Sequence, residues 1–228
     1  MTLRKAAQRL AATYRRHGAG RTVGLAALLA ARRAMVVERV HVLQLREPPT
    51  PPRIPGRLAR FGEVEEIARL ATDPIWDLDD LTADDVEHLF AAGHRCVLNI
   101  IDDQIAGYAW MNPHRVVIPR VRAAFSLLPN EVHIHKGFTH PRFRGHNLGI
   151  DRFAFWLREL PPRPDLTLLT DFAFDNFSTF VRVGRLGLEP LGTITYLAAR
   201  GWEHRMLSPS LASRRLEVVP PDLPHRVH

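Results

Sequence analysis

One cysteine among 228 residues leaves no internal disulfide and no cysteine pair to hold a metal. Cys96 lies in the apolar run Arg95-Cys-Val-Leu-Asn-Ile-Ile, where a buried structural thiol in a reducing compartment is expected. Long apolar runs are also missing. The stretch Val23 to Ala31 has nine such residues between Arg21 and Arg32-Arg33, and a helix needs about 20 to cross a bilayer. Acidic residues are nearly absent from residues 1–40, which hold nine Arg/Lys against the single acid Glu38. The rest of the chain then carries 22 basic and 23 acidic residues, so the net charge of +7 belongs to the N-terminal segment. A nucleic-acid surface on the body is disfavoured on that count, and no aromatic-basic platform accompanies the charge. No Gly-Lys-Ser/Thr phosphate loop, Gly-x-Gly-x-x-Gly pattern or serine elbow is present.

What is present reads as a mixed α/β domain. Residues 1–46 form a basic extension with helices over about Leu3 to Arg16 and Thr22 to Val36, then a strand-like Arg39 to Leu45. Basic helices of this kind suit anionic lipid or a partner, and equally a packed extension of the same domain; both readings stay open. An Arg pair stands where a signal peptide needs small residues, while a transit peptide shares the composition. Residues 47–56 hold five prolines in Glu47 to Pro55 and read as a linker. Residues 57–206 form the main domain, and 207–228 a mobile tail.

Within the domain, a short strand at Arg57 to Phe61 precedes helices at Val64 to Ala71 and Ala83 to Ala92, the second with Thr82 as N-cap. A hairpin follows at Cys96 to Ile101 and Ile105 to Met111. Pro113 to Pro129 is an irregular lid or a short helix. Then come strand Glu131 to Thr139, helix Leu148 to Leu160, strand Leu166 to Phe174, helix Ser178 to Leu186 and strand Thr193 to Ala199. The strand-helix-strand unit makes two strands parallel neighbours, with ligands expected at their carboxyl ends.

The joint Phe138-Thr-His-Pro-Arg-Phe-Arg-Gly-His-Asn-Leu-Gly149 carries more than a turn requires. The first amides of the following helix lack partners and suit an anion. Gly145 and Gly149 permit close approach, and Arg144, with Arg142 beside it, adds charge. A nest of this kind fits a diphosphate.

These residues resemble the GNAT superfamily of acyl-CoA-dependent N-acyltransferases, whose pyrophosphate loop reads Arg/Gln-x-x-Gly-x-Gly/Ala. Arg144 stands first, Asn147 at the usual first glycine and Gly149 at the second. Asn176 to Leu188 is similar to the second family motif, with Asn176, Arg185 and Gly187 matching in kind. The resemblance covers residues 57–206. It implies a GNAT-like fold, a central mixed sheet flanked by helices, and direct transfer of an acetyl or acyl group from acetyl-CoA to a primary amine, with no metal. It also implies cofactor contacts from Phe138, Thr139, Arg144, Gly145, His146, Asn147, Leu148, Gly149 and Asn176.

An arriving ammonium must lose a proton before it attacks, which calls for a base titrating near neutrality. Period-two geometry puts Glu131, His133, His135, Gly137 and Thr139 on one face of the strand and Val132, Ile134, Lys136 and Phe138 on the other. The His-x-His spacing resembles serotonin N-acetyltransferase, where strand histidines serve in amine deprotonation, and it makes His133 and then His135 the expected catalysts. Ordinary half-buried histidines, or a metal site with His140 and His146, are the alternatives, the latter without an acid at diagnostic spacing. The family's usual acid is a tyrosine, and here that position is Val183, with Ser178, Tyr196 or water as substitutes. Val183 keeps a non-catalytic CoA-binding or partner-associated module open. The acceptor is a small-molecule or envelope-precursor amine, and the expected location is cytoplasmic, with peripheral contact to an anionic membrane face through residues 1–40.

Overall fold

The computed structural model describes residues 11, 14, 18–20, 22–27, 35–47, 49–51, 54–76, 82–160, 165–176 and 186–220. Eleven strands and four α-helices are delimited among them. The strands are β1 (Val36–Leu45), β2 (Arg57–Phe61), β3 (Arg95–Ile101), β4 (Gln104–Asn112), β5 (Arg115–Ile118), β6 (Ala123–Ser126), β7 (Glu131–Thr139), β8 (Thr167–Ala173), β9 (Glu189–Ala199), β10 (Trp202–Leu207) and β11 (Glu217–Val218). The helices are α1 (Val64–Leu70), α2 (Ala83–Ala91), α3 (Leu148–Glu159) and α4 (Pro209–Ala212). Residues 22–27 are also helical, with Leu25 buried. No helix among the described residues is long and apolar enough to cross a membrane.

Local chemistry accounts for most boundaries. Thr82 caps α2 by accepting from the Asp85 amide, and the Asp85 carboxylate returns to the Thr82 amide. Asp102 and Asp103 both take positive φ between β3 and β4, which matches the twist of a tight hairpin. α3 starts at Asn147, itself left-handed at φ 56°, and ends before the proline pair at 161–162.

Eight strands form one sheet in the order β10-β9-β1-β8-β7-β4-β3-β2. Only β7 and β8 run parallel, and α3 supplies the crossover between them. One face is covered by α3, which packs Phe155 and Trp156 with Val132, Ile134, Leu168 and Phe172. The other face carries two separate cores. Helices α1 and α2 bury Ile67, Val86 and Leu89 against Cys96, Leu98, Tyr108 and Trp110. A second sheet, β11-β6-β5, packs Val116, Ile118 and Phe125 with Val40, Val42, Leu169 and Ile194.

Four expectations change. Val36 opens β1 rather than closing a helix, and β1 lies inside the sheet between β9 and β8, not in an extension. Pro113 to Pro129 is mainly two strands, β5 and β6, with a single 3-10 turn at Pro119–Val121 between them. Pro119 and left-handed Arg122 turn the chain between β5 and β6, which form a sheet of their own. β10 extends the sheet beyond the expected last strand. Finally, the described part of the tail is packed: Leu211 and Val219 are buried, and β11 pairs with β6.

Candidate active site at the parallel strand pair

Pairing between β7 and β8 runs from Glu131↔Thr167 to Ile134↔Thr170 and then stops. Beyond that point β7 remains hydrogen-bonded to β4 while its other edge parts from β8, so a wedge opens toward the strands' carboxyl ends. β7 also carries an extra residue. Two steps on β4, from Tyr108 to Trp110, span three on β7, from Phe138 to His135, and Lys136 takes φ 48°. This bulge breaks the expected alternation. Phe138 stacks on Tyr108 and joins the core beneath α1 and α2, the face to which His133 and His135 also belong.

His133 is 2% exposed, and its Nε2 lies 2.9 Å from Oδ1 of Asp171 on β8. A carboxylate oxygen accepts, so Nε2 carries the hydrogen, and in the neutral ring the lone pair is then on Nδ1. His135 lies face to face with His133, with ring centres 5.4 Å apart and planes 14° from parallel. His94, in the α2–β3 connection, meets His135 edge-on at 5.7 Å. Burial is the main cause that lowers the His94 pKa to about 4, followed by repulsion from His114 and His133. Asp171 and His94 complete this group, and sequence reasoning missed both. A lone acid in the apolar strand Leu168-Leu-Thr-Asp-Phe-Ala was the available signal for Asp171. Nothing local marked His94.

The loop after β7 is held from beneath by a buried polar network. Arg152 of α3 donates through Nη1 to Asn99 Oδ1 at 2.6 Å and to the Phe138 carbonyl at 3.2 Å. Asn99 in turn donates to the Leu148 carbonyl at 3.3 Å. Burial lowers the Arg152 pKa to about 10, which still leaves it charged at neutral pH. Gly107 makes room for this arrangement: a Cβ there would lie 2.6 Å from the Phe138 oxygen and 2.9 Å from Arg152 Nη1. A Cβ at Gly149 would meet only Arg152 Nη2, at an ordinary 4.0 Å.

Above that network, Pro141–Phe143 forms a 3-10 turn and Arg144 Nε donates to the Thr139 carbonyl at 3.4 Å. Gly145 takes φ 95° and has open space where a Cβ would be. His146 and Asn147 are exposed, Leu148 is buried, and the amides of Gly145 to Gly149 make no backbone hydrogen bond among the described residues. Phe138 offers its ring to the core and its carbonyl to Arg152, and Thr139 stands at the mouth of the wedge. Asn176 is exposed just past β8, with its amide bonded to the Ala173 carbonyl at 2.9 Å. The expected helix after it, with Ser178, Val183 and Arg185, lies outside the described residues. Tyr196 sits away from the wedge, with β1 between β9 and β8. Its hydroxyl accepts from Arg122 Nη1 at 3.4 Å, and the Arg205 guanidinium lies 4.9 Å from its ring centre. It is therefore not placed to serve as the acid. Among the described residues no cluster of three or more His, Cys, Asp or Glu can hold a metal.

Comparison with solved structures gives the fold a precedent. A GCN5-related N-acetyltransferase from Sphaerobacter thermophilus superposes with a TM-score of 0.50 at 15% identity, over 81% of this chain and 56% of that one. The chain has the GNAT fold. A functionally unknown conserved protein from Staphylococcus epidermidis also gives 0.50, at 9% identity over 76% of this chain and 66% of that one. A GCN5-related N-acetyltransferase from Kribbella flavida gives 0.49 at 19%, over 84% and 67%. This chain thus spans between about half and two thirds of the length of these three structures. No family model and no curated protein matches the chain.

Proposed function

We propose that the protein transfers an acetyl group from acetyl-CoA directly to a primary amine, with His133 as general base. The observation that carries this reading is the His133–Asp171 contact, made at the point where the two parallel strands part. Beside it lies a loop with unpartnered amides. Acetyl-CoA supplies the activated thioester. The residues present suit it: the amides of Gly145 to Gly149 and the Arg144 side chain for the pyrophosphate, and the wedge between β7 and β8 for the pantetheine arm. Asp171 fixes the His133 tautomer and stabilises the imidazolium that forms when Nδ1 takes a proton from the ammonium. The freed amine attacks the thioester carbonyl, a C–N bond forms, and the C–S bond breaks.

The GNAT fold serves many acceptors, so substrate identity follows from the cleft and not from topology. Thermal unfolding with CoA, dephospho-CoA and pantetheine tests the cofactor: the pyrophosphate-bearing ligands raise the midpoint and pantetheine does so less. No shift with CoA at millimolar concentration would sink the assignment. Thiol release from acetyl-CoA, followed over a panel of primary amines, tests the reaction. The non-catalytic alternative, motivated by Val183, is favoured if CoA binds and no amine is acetylated.

A further inference from the structure

β10 is an edge strand of the main sheet, six residues long, and its pairing with β9 runs from Trp202↔Ala199 to Leu207↔Ile194 without a bulge. Arg200 and Gly201, both at positive φ, close the hairpin in two residues. At the far end of the same ladder, the Ser208 amide donates to the Thr193 carbonyl at 3.0 Å. Hydrogen-bonded pairs alternate along an antiparallel ladder. Trp202, His204 and Met206 therefore direct their backbone groups to β9, while Glu203, Arg205 and Leu207 turn theirs outward. Those outward amides and carbonyls have no hydrogen-bond partner among the described residues.

An open edge is usually blunted by lysine, proline or a bulge, and β10 has none of these. It presents apolar side chains instead. Trp202 is 49% exposed and Met206 47%, on the same face as His204, whose ring stacks on Trp202 at 5.8 Å. Glu203 and Arg205 occupy the other face, joined by a contact of 3.1 Å.

We propose that β10 is a dimerisation strand, which pairs antiparallel with β10 of a second copy of this chain about a twofold axis at His204. The outward groups can bond only when Glu203, Arg205 and Leu207 face members of the same set, so the axis must pass through a residue. An axis at Glu203 or at Arg205 sets two like charges against each other, which is destabilising. At His204 the strand is complementary to its own reverse: Glu203 faces Arg205 of the second copy, and Trp202 faces its Met206, each pair occurring twice. Glu203 and Arg205 then exchange both amide-to-carbonyl bonds across the axis. Trp202, Met206 and His204 fall at the non-hydrogen-bonded positions, where Cα atoms approach to about 4.5 Å and side chains pack most closely. One strand per copy is small beside the roughly 1,600 Å² of a standard interface, so monomer and dimer exchange at micromolar concentration. β9 and β1 stand between β10 and the parallel pair, so the wedge at His133 lies outside the interface and the pairing does not depend on the acetyl-transfer reading.

Two measurements test the assignment. Sedimentation equilibrium of the full chain, from low to high micromolar concentration, should show a reversible monomer–dimer equilibrium. Met206→Lys should raise its dissociation constant on the order of tenfold or more, since the change enters the interface twice, while the circular dichroism of the folded chain is retained. A monomer at every concentration, or a dimer as tight in Met206→Lys as in the wild type, overturns the proposal.

The second measurement reads the register. Cys96 is buried, so an introduced surface thiol is the one open to mild oxidation. His204→Cys should give a covalent dimer, because the axis brings its two copies within disulfide reach. Trp202→Cys and Met206→Cys should cross-link to each other, when mixed, faster than either does alone. Absence of the covalent dimer in His204→Cys, or self-linking of Trp202→Cys as fast as that of His204→Cys, also overturns the pairing.

Discussion

His133 Nε2 and Asp171 Oδ1, 2.9 Å apart, join β7 to β8 across the end of their pairing, His133 one residue before Ile134 and Asp171 one residue after Thr170, the last paired positions. Asp171 is 22% exposed at its side chain and His133 is 2%, so the carboxylate reaches solvent while the imidazole does not. Asp171→Asn can turn its amide to donate, which favours the opposite tautomer and takes the lone pair off Nδ1. Its kcat for acetyl transfer should fall roughly tenfold or more with little change in KM for acetyl-CoA. Steady-state kinetics beside a CoA titration check this. A rise in KM with kcat intact would make the pair a cofactor-binding feature.

Arg144 is exposed and bound only loosely to the Thr139 carbonyl, so its charge is available to a ligand at little structural cost. Arg144→Ala should weaken CoA on the order of tenfold and leave pantetheine binding unchanged, because only the former carries a diphosphate. Thermal stability without ligand should stay within about 0.5 kcal/mol of wild type. Isothermal titration with both ligands decides it, and equal losses for the two would remove Arg144 from the pyrophosphate.

Gly107 is needed for its missing side chain. A Cβ there would meet the Phe138 oxygen at 2.6 Å and Arg152 Nη1 at 2.9 Å, and backbone oxygen cannot swing aside. Gly107→Ala should cost about 3 kcal/mol of stability and loosen the end of β7, so that CoA affinity falls with it. Urea unfolding gives the first quantity and the ligand-induced shift in midpoint the second. A neutral substitution would mean that the network around Arg152 yields easily.

His94 gives the pH dependence a sign. Its native pKa lies near 4 against an ordinary 6.5, so between those values the unfolded chain binds a proton that the native chain does not. Stability is therefore lost as pH falls from about 6.5 to about 4, on the order of 3 kcal/mol, and that contribution levels off below 4. His41, also lowered by burial, adds a contribution of the same sign. Guanidinium midpoints at pH 7, 5.5 and 4.5 should show the slope, and His94→Gln should reduce it without abolishing it.

The strand-to-helix joint was legible because its cues are local. Prolines, glycines and a change of hydrophobic period mark the two ends of the loop, and the His-x-His stripe marks the inward face of β7 before the bulge. The bulge itself was not legible, since Lys136 is no turn residue and its left-handed backbone is set by the register of β4 against β7. Asp171 and His133 are separated by 38 residues and meet only through the parallel pairing. β1 lies between β8 and β9 although it precedes both by more than a hundred residues, and no local pattern encodes that insertion. The tail as far as residue 220 departs from expectation for a related reason: its prolines suggested mobility, while its anchors are distant partners.

Those anchors lead to the last expectation. Arg214 grips Glu131 through two hydrogen bonds, at 2.7 and 2.5 Å, and Glu131 is 5% exposed at the start of β7. The Glu131 carboxylate also accepts from the Leu128 amide at 2.9 Å, which keeps it in place when the arginine is removed. Arg214→Ala then leaves a buried carboxylate without its counter-charge, a loss of about 3 kcal/mol. Because α4 and β11 flank Arg214, cleavage by limited proteolysis should move to the segment after Leu207. Adding Glu131→Gln to Arg214→Ala should recover part of the stability, since the neutral amide can still accept from Leu128. If the double variant is no more stable than Arg214→Ala, packing of the Arg214 stem on Phe125, 5.7 Å from guanidinium to ring centre, is what holds the tail, and the charge pair is incidental.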